Sequence, residues 1–149
     1  MDALKFVVLD EEDLEVASTH LQDAVVRVSD VLWRPHERRL VVALNRFDWE
    51  CATSSTHEFQ RRRSGVRFER VSGAQVQGID LKQKDAALSL LAITFEPAEL
   101  PSGTLTLHFA GGGAVRLLVE CIEAELRDLG AAWSTQVKPE HAGDDSSTT

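Results

Sequence analysis

Residues 104–119 read Thr-Leu-Thr-Leu-His-Phe-Ala-Gly-Gly-Gly-Ala-Val-Arg-Leu-Leu-Val, and this stretch decides the fold class. From Thr104 to Phe109, polar and apolar side chains alternate, which is the period-two pattern of a strand with one buried face. The glycines at 111–113 can turn the chain back into a second strand over 115–119. The sequence therefore predicts an antiparallel hairpin here.

The same alternation recurs along much of the chain. Val26 and Val28 alternate with polar residues, and this strand continues towards Trp33 before Pro35 presets a turn. Further strands are predicted around residues 4–9, 40–45, 66–69, 76–79 and 91–95. Consecutive hairpins of this kind indicate a mostly antiparallel sheet.

Two helices are predicted, one near each end of the chain. Asp10 is a candidate N-cap, and acidic residues follow it in the first turn, where the helix dipole favours negative charge. This helix is expected to end near Gln22. A C-terminal helix is predicted over 120–129, with Gly130 after it, because apolar residues recur every three or four positions: Leu118, Ile122, Leu126 and Leu129.

These elements predict an α+β domain over residues 1–137, followed by a disordered tail over 138–149. Its expected architecture is a curled antiparallel sheet or partly open barrel of about seven or eight strands. An N-terminal helix and a closing C-terminal helix complete it. Strand hairpins followed by one terminal helix resemble the pleckstrin-homology-like order of elements, a resemblance that carries no function.

The composition indicates an ordinary globular chain. It has 149 residues, of which 43% are hydrophobic and 27% charged, and its net charge is −8. No apolar run approaches the roughly 20 residues of a transmembrane helix, and no secretory signal is visible. Cys51 and Cys121 lie far apart and form no disulfide framework. We therefore expect a cytoplasmic protein with free thiols, no cofactor and no membrane span.

Basic residues are concentrated in the middle of the chain. Ten arginines lie between residues 24 and 70, and Arg61, Arg62 and Arg63 are consecutive. They lie at the end of a polar stretch, 51–63, that predicts a mobile loop. One interpretation is an anion site, since guanidinium groups bind oxyanions bidentately. The other is a solvated charge run. The acidic total argues against nucleic acid as a partner.

The least generic segment is Leu44-Asn45-Arg46-Phe47-Asp48-Trp49-Glu50. Asp48 or Glu50 is a candidate partner for Arg46. Trp49 is a candidate anchor, because tryptophan and arginine are enriched at the centres of interfaces. The segment is either a recognition edge or a strand end whose aromatic side chains enter the core. We expect a binding or adaptor module that uses residues 44–70 to recognise a protein partner or an anionic ligand. Homo-oligomerisation through strand edges is a further possibility.

Catalytic and metal-binding patterns are weak. A metal site of Cys51, His57, His36 and Glu37 does not match a zinc spacing. A triad of Ser54 or Ser55 with His57 and Asp48 lacks a nucleophile motif. We therefore predict no metal ligands and no catalytic residues. The alternative function is a small enzyme or an enzyme accessory subunit with a polar pocket near Asp48 and His57.

Three strings resemble one family of proteins. They are residues 20–24 (His-Leu-Gln-Asp-Ala), the segment 44–50, and residues 112–124 with their Gly-Gly-Ala-Val-Arg-Leu and Val-Glu-Cys-Ile-Glu-Ala sequences. The family consists of small alphaproteobacterial proteins classed as a domain of unknown function, and the resemblance runs from about Leu4 to Lys138. It implies a bacterial, cytoplasmic, stand-alone domain and no activity, cofactor or catalytic residue.

Overall fold

The computed structural model describes residues 4–47, 59–129 and 133–135. They contain one α-helix, α1 (Glu11–Leu21), and eleven strands. The strands are β1 (Lys5–Val8), β2 (Val25–Arg27), β3 (Val31–Arg34), β4 (Arg39–Phe47), β5 (Phe59–Phe68), β6 (Val71–Gln77), β7 (Ala87–Pro97), β8 (Gly103–Phe109), β9 (Ala114–Val119), β10 (Ala124–Asp128) and β11 (Trp133–Thr135).

All strand pairings in the described residues are antiparallel. The strands follow the order β1-β10-β5-β4-β2-β7-β8-β9-β6, with β3 paired to β4 and β11 paired to β5. A short 3-10 turn, Val28–Asp30, separates β2 from β3, so the two strands share one edge of β4. The sheet is open, with β1 and β6 as its ends.

Local sequence signals explain the helix and the hairpin that decided the fold class. Asp10 caps α1, since its side chain accepts a hydrogen bond of 2.8 Å from the Asp13 amide. In the hairpin of β8 and β9, Gly111 and Gly112 adopt φ of 88° and 96°, a left-handed region that favours glycine. The predicted helix near the N-terminus and this hairpin are confirmed.

One hydrophobic core joins the helix to strands from both halves of the sheet order. The helix contributes Leu14, Ala17 and Leu21, which recur at three- and four-residue spacing. Strands contribute alternate residues, since successive side chains point to opposite faces. The largest fully buried side chains are those of Phe68, Leu21, Leu40, Leu44, Leu90, Leu105, Leu117 and Leu126.

The predicted C-terminal helix is wrong. Residues 124–128 form β10, which pairs with β1 on one side and β5 on the other. Ile122, Ala124, Leu126 and Asp128 are buried and alternate with more exposed residues, as a strand requires. The pleckstrin-homology-like order, which depended on a closing helix, is therefore not confirmed.

Three further predictions differ from the structure. The strand count of seven or eight is too low, and the predicted curling into a partly open barrel is not confirmed. Residues 59–63 belong to β5 rather than to a mobile loop. The remainder of that predicted loop, 51–58, lies outside the described residues, as does the tail predicted over 138–149.

Candidate functional site

Three adjacent strands change from apolar to polar side chains on their inner face, and they do so at the same end of the sheet. In the register of the strands, Asp128 of β10 is opposite Ser64 of β5, and Arg62 of β5 is opposite Arg46 of β4. These four are the buried polar residues of the described chain. The inner face that carries the core thus ends in a polar cluster, Arg46–Arg62–Ser64–Asp128.

Asp128 is the centre of this cluster. Its Oδ1 accepts from Arg46 Nε at 2.9 Å and from Ser64 Oγ at 2.6 Å, while its Oδ2 accepts from Arg46 Nη2 at 2.9 Å. The Leu4 amide also donates to Oδ2, at 2.7 Å, and Arg62 Nε lies 3.9 Å from that oxygen. The two bonds from Arg46 make a bidentate pair, the geometry that guanidinium and carboxylate groups favour.

The environment determines the protonation state of Asp128. Burial raises the pKa of its carboxyl, but hydrogen bonds from Arg46, Ser64 and the Leu4 amide, together with the Arg46 charge, outweigh that effect. The resulting pKa is about 2, below the ordinary 3.8. Asp128 is therefore ionised at neutral pH and holds β10, β5 and β4 together with the chain before β1.

Stability is expected to respond to acid through this carboxylate. Because the folded-state pKa lies below the unfolded value, the Asp128 contribution is present above about pH 5 and is lost as the pH falls towards 2. Urea unfolding at several pH values should show a loss of stability over this window. The loss should be smaller in Asp128→Asn, which lacks the titrating group. Parallel pH curves for the two proteins would contradict the assignment.

Arg61 and Arg63 lie on the other face of β5 and make separate contacts. Arg63 donates to the Asn45 side chain at 3.2 Å and pairs with Asp30 at 3.1 Å. Arg61 donates to the backbone carbonyls of Asn45, at 3.2 Å, and Asp23, at 3.4 Å. Its guanidinium carbon lies 5.6 Å from the centroid of the Phe47 ring, within the range of a cation–π contact.

Two other arginines of the basic stretch, Arg39 and Arg67, belong to a ladder of ion pairs on the outer face. Arg67 lies between Glu69 and Glu125, at 2.6 and 2.7 Å, and Glu69 also pairs with Arg39 at 3.0 Å. Arg127 extends the ladder by pairing with Glu125 at 3.1 Å. Arg67 therefore lies on the outer face of β5, beside Glu69.

The structure separates the predicted site residues. Arg46 and Arg62 join the buried cluster, whereas Arg61 and Arg63 lie on the opposite face, so the three arginines of the triplet do not share one face of the sheet. Asp48 and Trp49 lie outside the described residues, and their proposed role stays a prediction.

Sequence reasoning missed Asp128 and Ser64. The partner that the structure gives Arg46 is 82 positions away in the sequence. The available signal was the alternation of charged and other residues over 123–128, Glu-Ala-Glu-Leu-Arg-Asp, which has the period of a strand. It would have placed Asp128 on the same face as Leu126.

The hydrogen bonds of the cluster join β10 to β4, to β5 and to Leu4. Ser64 Oγ donates directly to Asp128, so this hydroxyl contacts a carboxylate and not a histidine base. Among residues 4–47 and 59–129, no group of three histidine, cysteine or acidic side chains is arranged to hold a metal ion. His57 and Asp48, on which the enzyme alternative depends, lie outside the described part, and that alternative stays a prediction.

Comparison with known proteins places this antiparallel α+β chain in a family whose function is not defined. The family model described as protein of unknown function (DUF2948) matches residues 4–141, and the chain belongs to that family. No curated protein and no solved structure matches the chain. No helix in the described part is long and apolar enough to cross a membrane.

Proposed function

We propose that the protein is a binding module, and that the outer face around Arg61 at the ends of β4 and β5 recognises an acidic segment of a partner protein. The observation that carries this proposal is that Arg61 makes no ion pair with any of the described residues. No carboxylate in the described residues lies within ion-pair distance of its guanidinium, whereas the Arg62, Arg63 and Arg67 side chains of the same strand each face one.

The surroundings favour an anion at Arg61. Burial lowers the pKa of its guanidinium and the Asp23 charge raises it, so the group is partly desolvated. A partly desolvated cation interacts more strongly with a carboxylate than a fully hydrated one does. The guanidinium of Arg61 lies over the Phe47 ring and donates to two backbone carbonyls, and these contacts fix its orientation. At physiological ionic strength, charges beyond roughly 8 Å are largely screened, so the acidic total does not prevent local binding.

The connection from β4 to β5 begins beside this face. Asp48 and Trp49 follow Phe47 directly in the sequence, and we include them, with Arg46 and the arginine triplet, in the proposed recognition region 44–70. We also propose a single domain over 1–137 in a bacterial, cytoplasmic, alphaproteobacterial setting. Self-association through the edge strands β1 and β6 is a further proposal, since unpaired edges can accept another strand.

A titration with hexaglutamate, measured by calorimetry, tests the recognition face. Arg61→Gln should weaken binding by about tenfold, the loss of one charged hydrogen-bond donor. Arg34→Gln is the matched control, because Arg34 is exposed and has no ion pair in the described chain. Equal losses in both variants, or no binding by wild type, would contradict the proposal. Competition by inorganic phosphate at equal concentration would instead indicate a small-anion site.

A further inference from the structure

An acidic groove lies between the first half of α1 and the second half of β7, a strand that only β2 separates from β4 in the sheet. Its volume is about 290 Å³. Its apolar lining consists of the buried Leu14 and Ile93 and the half-buried Phe95. Its polar lining consists of Glu11, Glu12, Glu15 and Thr94, all four exposed.

The backbone of β7 is open to this groove. The strand β2 pairs with β7 only over residues 87–89, and the Ile93 amide beyond it is taken by Ser18 Oγ at 3.0 Å. On the β8 side, the Ala98 amide donates to the Ser102 carbonyl. In an antiparallel pair, every second residue of a strand bonds to its neighbour, and Phe95 is three positions from Ala98, so Phe95 is not one of the residues bonded to β8. Its N–H and C=O therefore point away from β8 and towards the groove. Neither group has a hydrogen-bond partner in the described chain.

The charge of the groove is also uncompensated. None of the ion pairs among the described residues involves Glu11, Glu12 or Glu15, although the acids near β10 are paired repeatedly. The positive end of the α1 dipole amounts to about half an elementary charge. Three carboxylates exceed it, so the groove favours cations.

We propose that this groove binds an extended segment of a partner protein that carries lysine or arginine at alternate positions. The segment adds to β7 as a strand and bonds to the N–H and C=O of Phe95. Its basic side chains rest their aliphatic stems on Leu14, Ile93 and Phe95, and their charged ends reach the glutamates. The groove volume suits one or two such side chains rather than a folded ligand.

The end of β7 limits the length of the added strand. Pro97 occupies the next position that faces the groove, and proline has no amide hydrogen to donate. The pairing therefore centres on Phe95 and makes few backbone hydrogen bonds. For this reason, charge complementarity contributes most of the specificity. Proline at this position also protects the edge against indiscriminate strand pairing.

A titration with an acetylated and amidated Val-Lys-Val-Lys-Val-Lys peptide tests the proposal. Binding should slow hydrogen exchange at the Phe95 amide, which electrostatic association alone would leave unprotected. The variant Glu12→Gln/Glu15→Gln should weaken binding by about five- to tenfold. The control Asp85→Asn/Glu99→Gln removes the same charge from exposed positions outside the groove and should bind as wild type does.

A second peptide separates strand addition from simple charge attraction. Methylation of the backbone amide nitrogens of its lysines keeps every side-chain charge but removes the N–H donors of those residues. The methylated peptide should therefore bind at least about tenfold more weakly. Equal binding by the methylated peptide, equal binding by a Val-Glu peptide, or an unprotected Phe95 amide would overturn the proposal. The Arg61→Gln variant should bind the lysine peptide normally, which separates failure here from failure of the arginine face.

Discussion

Replacing Asp128 with asparagine is expected to destabilise the protein by about 3–5 kcal/mol, the usual cost of removing one partner from a buried ion pair. The Asp128 side chain is fully buried and accepts four hydrogen bonds at 2.6–2.9 Å. An asparagine amide group would direct its own donors at the donors of Arg46, Ser64 or Leu4. Urea unfolding at pH 7 measures the loss.

Asp30→Asn is the matched control for this experiment. Asp30 pairs with Arg63 at 3.1 Å, but both side chains are partly exposed. Solvent-exposed ion pairs contribute about 0–1 kcal/mol, so this variant should remain close to wild type in stability. Similar small losses in both variants would show that the Asp128 cluster does not hold the strands together.

Leu126→Ala is expected to cost about 2–5 kcal/mol, because it removes a fully buried side chain from the core. Leu126 lies at the middle of β10, opposite Phe6 of β1 and Val66 of β5. Its exposed fraction is 0%, whereas that of Leu129 is 57%. Leu129→Ala should therefore cost less than about 1 kcal/mol.

This pair of variants distinguishes a strand from a helix over residues 120–129. In the predicted helix, Leu126 and Leu129 lie three positions apart on one apolar face and both are buried. In the strand they point to opposite faces. Thermal unfolding of the two variants gives the comparison, and equal large losses would contradict the strand.

Local signals predicted the parts of the fold that depend on neighbouring residues. Three such signals act within a few positions: the cap at Asp10, the turn at Pro35 and the glycines of the β8–β9 hairpin. The helix and strands that begin or end at these signals are present in the structure. The alternation of Leu40, Val42 and Leu44 likewise identified a strand with one buried face.

The end of the chain depends on distant partners, which a local pattern does not reveal. Residues 120–129 contain Glu, Ala, Leu and Arg, which have high helix propensity, and apolar residues at helical spacing. Pairing with β1 and β5 overrides that propensity, as tertiary context commonly does for strands. Residues 59–63 read as a polar loop for a related reason, since their arginines gain partners only in the folded sheet.

The candidate site was predictable in composition and not in arrangement. Arg46 and the triplet Arg61–Arg63 stood out as basic residues, but the period of two sends Arg62 inward and its neighbours outward. The carboxylate that pairs with the inner arginines comes from β10, a segment whose local pattern predicts a helix. Arg61 therefore emerges as the one member of the triplet that has no carboxylate partner in the described residues.

The proposed adaptor has two surfaces of opposite charge, the Arg61 face and the groove along β7. The most direct test is an amide correlation map of the ¹⁵N-labelled protein, recorded with hexaglutamate in one sample and with the Val-Lys peptide in a separate sample. We predict two separate sets of shifted signals, one around Phe47, Arg61 and Arg63 and the other around Glu12, Glu15 and Phe95. A single shared set, or no shifts at either surface, would contradict the account.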